Sequence, residues 1–206
     1  ENTPTKISYR PFDIRYMYYT KKSECWINSP RLNIMSNFID RENFGLCTVR
    51  LGRNPDYNNY YVTNHITDKS IVSSLDNANF FPLYLYTEDG TKTSNLKTEI
   101  VGQIEKIVGK TTPEEIFDYI YAALHSPKYR EKYKEFLKID FPRVPYPKDK
   151  NSFKKLVKFG TKLRQLHLLE APEVNQFITT YPVNGSNAVE KISYSNGQVF
   201  INKDQY

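Results

Sequence analysis

The sequence predicts an α+β domain, with mostly antiparallel strands from both ends of the chain framing a helical middle segment. Three observations carry that expectation. Short β-branched and aromatic runs bounded by turn residues fill residues 1–90. Amphipathic stretches with capping signals occupy residues 95–170. Near the end, Asn196-Gly197 separates two short strand-like runs, and Asn-Gly is the strongest short-range hairpin signal. The 206 residues, 39% hydrophobic, suffice for one substantial core with room for two lobes.

In chain order, residues 6–9 and 14–19 read as strands around Arg10-Pro11-Phe12-Asp13. Ser29-Pro30 announces a short helix that buries Leu32, Met35, Phe38 and Ile39, with Trp26 just before it as core or staple. Residues 44–51 form a strand ending in Arg50, and residues 52–59 a polar loop; strands return at 60–66 and 80–86. A Thr-, Ser- and Lys-rich loop then leads to a helix that carries Leu96, Ile100, Ile104, Ile107 and Val108 on one side and stops at Gly109. In Thr112-Pro113-Glu114-Glu115 the threonine caps, the proline suits the first turn and Glu115 completes a capping box, with Ile116, Ile120, Ala123 and Leu124 on the apolar face. Ser126-Pro127 repeats the signal for a helix to about Lys138, striped by Tyr129, Tyr133, Phe136 and Leu137. Residues 141–147 cannot be helix, because Pro142, Pro145 and Pro147 remove donors and push their predecessors to extended geometry. Ser152 caps a long helix ending at Ala171-Pro172, with Phe153, Leu156, Val157, Phe159, Leu163 and Leu166 inward and Lys154, Lys155, Lys158, Lys162 and Arg164 mostly outward. Residues 177–183 and a hairpin of 191–194 with 198–201 close the chain.

Charge is concentrated in one region. Residues 127–164 hold 13 Lys and Arg against 4 Asp and Glu, or +9, while the whole chain is only +6. A local basic excess is the usual footprint of a polyanion partner, although a solvated lysine-rich helix face gives the same count. Aromatics reach 15%, with 17 Tyr and 12 Phe; tyrosine suits wet interfaces as well as the edges of a β core.

Several chemistries lack their residues. No Lys has an acidic residue two positions before it, so the metal-holding pattern of many restriction nucleases is missing. Asn54-Pro55-Asp56-Tyr57 approaches the Asn-Pro-Pro-Tyr signature of amino-methyltransferases but lacks the second proline, and no glycine precedes Gly45 to form a cofactor turn. No complete GxxxxGK[ST] phosphate loop is present. His65, His125 and His167 stand apart in sequence and read as structural; Cys25 and Cys47 read as reduced thiols of a cytoplasmic protein. No apolar run approaches membrane length.

The run LHSPKYREKYKEFLKIDFPRVPYP from Leu124, the earlier YRPFDIRYMYY from Tyr9, and FPLYLY at residues 81–86 resemble the C-terminal specificity region of type ISP restriction–modification enzymes. The resemblance spans roughly residues 9–206. It implies a double-stranded DNA target-recognition domain over 1–206, β-rich in 1–90 and 177–206 and helical in 95–170, within a longer chain. It further implies that methylation, with S-adenosylmethionine, and cleavage belong to other parts of that parent, and that this piece binds no cofactor of its own. The methyltransferase domain of the parent is then a second partner. The absence of an initiator Met, and of the aromatic-rich tail that usually follows in the family, fits a fragment.

On that reading, Arg143, Lys148, Lys150 and Lys154 contact phosphates, which carry affinity, and Arg50, Arg53, Asn54 and Asn58 contact base edges, which carry specificity. Arg10, Arg15 and Tyr57 are further candidates. Asp13 either pairs with Arg10 or Arg15 to hold a corner, or leaves them free for DNA; the loop residues are also ordinary turn formers. The rival from another class is a docking module whose aromatic surface and basic helix pack on a partner domain.

Overall fold

The computed structural model describes residues 4–20, 22–23, 27, 29–53, 59–181 and 183–206. It is an α+β fold with strands near both ends of the chain and helices between them. The chain forms two compact units, Glu1–Ala171 and Pro172–Tyr206. Cys25 and Trp26 lie outside the described residues.

In the first unit, β1 (Thr5–Arg10) and β2 (Asp13–Met17) make an antiparallel hairpin, and β1 also pairs in parallel with the short β5 (Ile66–Thr67). A second sheet has the order β4-β3-β6, from β3 (Gly45–Val49), β4 (Tyr60–Thr63) and β6 (Ala78–Pro82), all antiparallel. The single strand expected over 80–86 divides at Leu83: β6 pairs with β3, while β7 (Tyr84–Tyr86) pairs with β8 (Lys92–Ser94). That last strand lies in the Thr- and Lys-rich stretch read as loop, and all its residues are exposed. Hairpin pairing, not burial, makes it a strand. Phe38, Cys47, Tyr61, Ile66, Ile71 and Phe80 form the core beneath these sheets. Complete burial pushes the Cys47 thiol far above its usual range, so it is an inert packing residue.

The helices follow. In α1 (Leu32–Met35) no residue is fully buried; Ile34 and Met35 pack at the edge of the core, and Phe38 just beyond the helix is buried there. In α2 (Thr98–Val108) the inward residues are Val101, Ile104 and Val108; Ile100 and Ile107, expected inward, are exposed, because the helix meets the core along one narrow line. The Thr112 capping box starts α3 (Pro113–His125), which is buried on nearly every side. Val62 and Leu83 pack on Phe117 and Tyr121, joining the second sheet to α3. Ser126 caps α4 (Pro127–Leu137), which kinks at Tyr133. The long helix α5 (Lys150–His167) is capped by Asp149, not by Ser152. Asp149 accepts from both the backbone N–H (2.8 Å) and the hydroxyl (2.8 Å) of Ser152, and a carboxylate is the better acceptor at a positive helix end.

Two residues of α5 reverse their expected direction. Its buried line runs through Phe153, Val157 and Gly160, which turns Arg164 inward. Phe159, two positions past Val157, faces the opposite side and is exposed.

The second unit begins with a 3₁₀ turn, Pro172–Asn175, and ends in the expected hairpin of β9 (Ser193–Ser195) and β10 (Gln198–Phe200). Asn196 and Gly197 both have positive φ, 52° and 79°, as a type I′ turn requires. Gln205 is its buried centre: its amide donates to the Val183 carbonyl (3.1 Å) and accepts from the Asn187 backbone (3.0 Å).

Candidate nucleic-acid interface

Three prolines leave residues 141–147 without a strand partner, so the strap's carbonyls need other donors. Tyrosines supply them: the Tyr129 hydroxyl donates to the Arg143 carbonyl (3.0 Å) and the Tyr119 hydroxyl to the Pro145 carbonyl (2.9 Å). Val144 packs inward and Arg143, Pro145 and Tyr146 face out. The strap is thereby laid along α3 and α4 with Arg143 exposed, its guanidinium 5.2 Å from the Phe136 ring centroid.

At its start the strap meets the far end of β3. Arg50 Nε pairs with Asp140 Oδ1 at 3.3 Å, and its guanidinium stands 6.0 Å from the Phe141 ring. Phe141 in turn packs edge-on against Phe81 of β6 at 5.7 Å. Asp140 is held below the usual carboxylate range by the Phe141 backbone N–H and by Arg50. Residues 90 positions apart are thus joined at one corner, and Arg143 lies three residues further on. Arg53, where the chain leaves β3, pairs through Nε with Asp76 Oδ1 at 3.1 Å. Both guanidiniums remain well exposed, 65% for Arg50 and 74% for Arg53.

Past the strap, Lys148 and Lys150 are exposed and have no ion pair among the described residues. Lys154 ion-pairs with Glu115 of the α3 capping box, which lowers the carboxyl's pKa. At most about 18 Å of extended chain separates Arg143 from Lys148.

Arg10 and Arg15 form a separate group on the first hairpin. Arg15 grips Asp13 at 2.8 Å and Arg10 pairs with Asp68 at 2.9 Å, while both guanidiniums lie over the Tyr9 ring, at 3.9 and 4.1 Å. Asp13 therefore takes the corner-holding role, with Arg15 as partner. Asn54, Tyr57 and Asn58 lie outside the described residues.

The sequence reading missed the acidic props. Asp140 directly precedes the aromatic-proline run and could have been flagged by that position. Asp76 lies in an ordinary Ser-, Asp- and Asn-rich loop and carries no local signal. Among the described residues no group of three His, Cys, Asp or Glu is placed to hold a metal ion, and no helix is long and apolar enough to cross a membrane.

Comparison with known proteins agrees in one direction. A family model described as the Type ISP C-terminal specificity domain matches residues 1–206. Among solved structures, the DrdV–DNA complex matches with TM-score 0.68 and 25% identity over 82% of this chain. A nuclease-deletion mutant of the Type ISP restriction-modification enzyme LlaGI, in complex with a DNA substrate mimic, matches with TM-score 0.70 and 23% identity over 99%. The ATP-dependent Type ISP restriction-modification enzyme LlaBIII bound to DNA matches with TM-score 0.73 and 21% identity over 98%. This chain spans 16%, 18% and 13% of those three chains. No curated protein matches it.

Proposed function

Because this chain belongs to the family of Type ISP C-terminal specificity domains, we propose that it reads a short double-stranded DNA sequence on behalf of a larger, cytoplasmic restriction–modification enzyme. The observation that carries this reading is the corner where Arg50 meets Asp140 and Phe141: it sets the end of β3 beside the basic strap, so exposed cations from distant segments share one neighbourhood. The solved relatives, two of them named as Type ISP enzymes, are themselves complexes with DNA or a DNA mimic.

In this mechanism Arg143, Lys148, Lys150 and, less strongly, the already paired Lys154 set the register of the duplex through phosphates. Arg50 and Arg53 read base edges; an arginine held at Nε still offers its terminal amino groups as the two-pronged donor that suits guanine O6 and N7. Asn54 and Asn58 extend that set. Methyl transfer with S-adenosylmethionine, and cleavage, fall to other parts of the parent chain, whose methyltransferase domain is the second partner.

One observation favours the docking alternative: Ile14, Tyr16 and Tyr18, on one side of β2 and its continuation, are all exposed. Binding of the parent enzyme to a duplex pool with a randomised core, followed by sequencing of the bound fraction across a salt series, separates the readings. Recognition gives one enriched motif and a steep fall in affinity with salt. Retention of no duplex at low salt, or retention without any motif, removes the recognition reading.

A further inference from the structure

We infer that Asp76 is a specificity-determining positioning residue, which fixes the Arg53 guanidinium for base readout. This inference rests on the DNA-recognition reading above and names how one of its contacts is built.

The Asp76 carboxylate is 6% exposed, yet its cationic partner is 74% exposed. It grips Arg53 twice, at the backbone N–H through Oδ2 (3.3 Å) and at Nε through Oδ1 (3.1 Å). Its own orientation is set in turn by the Ser73 hydroxyl, which donates to Oδ2 at 3.0 Å. Among the described residues, the other ion pair with a strongly buried carboxylate is built differently. In Asp118–Arg164 both partners are buried, 3% and 14% exposed, and the guanidinium is enclosed between helices. That pair ties two helices together and buries both charges. Asp76 buries the anchor and leaves the head in solvent.

Electrostatics points the same way. With Asp76 alongside, the Arg53 charge is already compensated, so the arginine adds little to counterion release from DNA. Its directional donors remain, and their rotational freedom is restricted before any ligand arrives. Compensated charge with preset donors is the chemistry of a base reader, whereas lysines without an ion pair among the described residues, such as Lys148 and Lys150, are suited to phosphate.

The test uses the parent enzyme and the randomised duplex pool. If the unaltered enzyme selects no motif, the recognition reading fails and takes this inference with it. If it selects a motif, Asp76→Asn decides the inference alone. The expected result is about a tenfold loss of preference at one base pair, with the remaining motif unchanged and the salt dependence somewhat steeper, because Arg53 loses its compensating charge. Arg53→Ala erases the preference at that same base pair, and the double variant does no worse than Arg53→Ala. A motif unaltered in Asp76→Asn, or an equal weakening across all sequences, overturns the inference. Should Asp76→Asn fail to fold, Ser73→Ala removes only the hydroxyl that orients the carboxylate. A smaller loss at the Arg53-dependent base pair then supports the inference, and an intact motif overturns it.

Discussion

Asp118 of α3 and Arg164 of α5 form a two-pronged ion pair inside the molecule, Nε to Oδ1 at 2.7 Å and Nη2 to Oδ2 at 3.0 Å. The Thr161 hydroxyl adds a third donor to the carboxylate at 2.7 Å, and the guanidinium stacks 4.6 Å from the Phe44 ring. Such a pair is costly to break and cheap to replace, because removing one partner strands a buried charge. Asp118→Ala is expected to lose about 3–5 kcal/mol in urea unfolding, while Asp118→Leu with Arg164→Met recovers most of that loss. Equal losses in the single and double variants would show that shape, and not charge, matters at this site.

The same helix pair meets at Gly160. A Cβ there would lie 1.8 Å from the Asp118 carbonyl oxygen and 2.5 Å from its carbon, and both are backbone atoms that cannot swing away. Gly160→Ala would gain about 1 kcal/mol of helix propensity. Overpacking outweighs that gain, and a net loss of at least about 2 kcal/mol is expected from the unfolding midpoint. Gly102, with open space around it, is the control: Gly102→Ala should stabilise α2 slightly.

These two positions mark what the sequence displays and what it hides. Signals closed within a few residues are legible: the Thr112 capping box, the Ser126 cap and the Asn196-Gly197 turn all form where the residues announce them. Proline chemistry is equally local, so the strap was readable although its tyrosine donors were not. Partners distant along the chain leave no such trace. Arg164 sits among lysines and reads as another solvated cation until α3 brings Asp118 to it. Likewise Arg50 at a strand end and Arg53 in the loop after it are nameable as candidate base readers, but Asp140 and Asp76 become their props only on folding. His125 and His167, isolated in sequence, face each other with ring centroids 5.3 Å apart.

That histidine pair gives the domain a pH dependence. Burial, then the charges of His167 and Arg130, push His125 down to about 4, and burial lowers His167 as well. The Nε2 of His125 has no hydrogen-bond partner among the described residues, and the Tyr121 hydroxyl is hydrogen-bonded with His167 Nδ1. The folded state holds the neutral rings, while the unfolded chain takes up protons from about pH 6.5 downward. Stability therefore falls as pH drops below 6.5, by roughly 2 kcal/mol at pH 5 from His125 alone. Carboxylates held low, such as Glu115, make their loss only further down, as pH falls through their lowered values. In His125→Leu the slope of unfolding free energy between pH 6.5 and 5 should flatten; an unchanged slope would assign it to other groups.

Lys148 and Lys150 should act on DNA affinity in a way that Arg53 does not. Each is exposed and without an ion pair among the described residues, so a phosphate contact would release a condensed counterion. In the parent enzyme, Lys148→Ala and Lys150→Ala should each reduce the slope of log affinity against log salt by about 0.9, lowering binding to all sequences alike. Lys154→Ala should change the slope less, because its ammonium is already matched by Glu115. Arg53→Ala should leave the slope nearly unaltered and change only which sequences bind. If the lysine variants change the motif and not the slope, the division of labour between strap and β3 loop is the reverse of the one argued from their ion pairs.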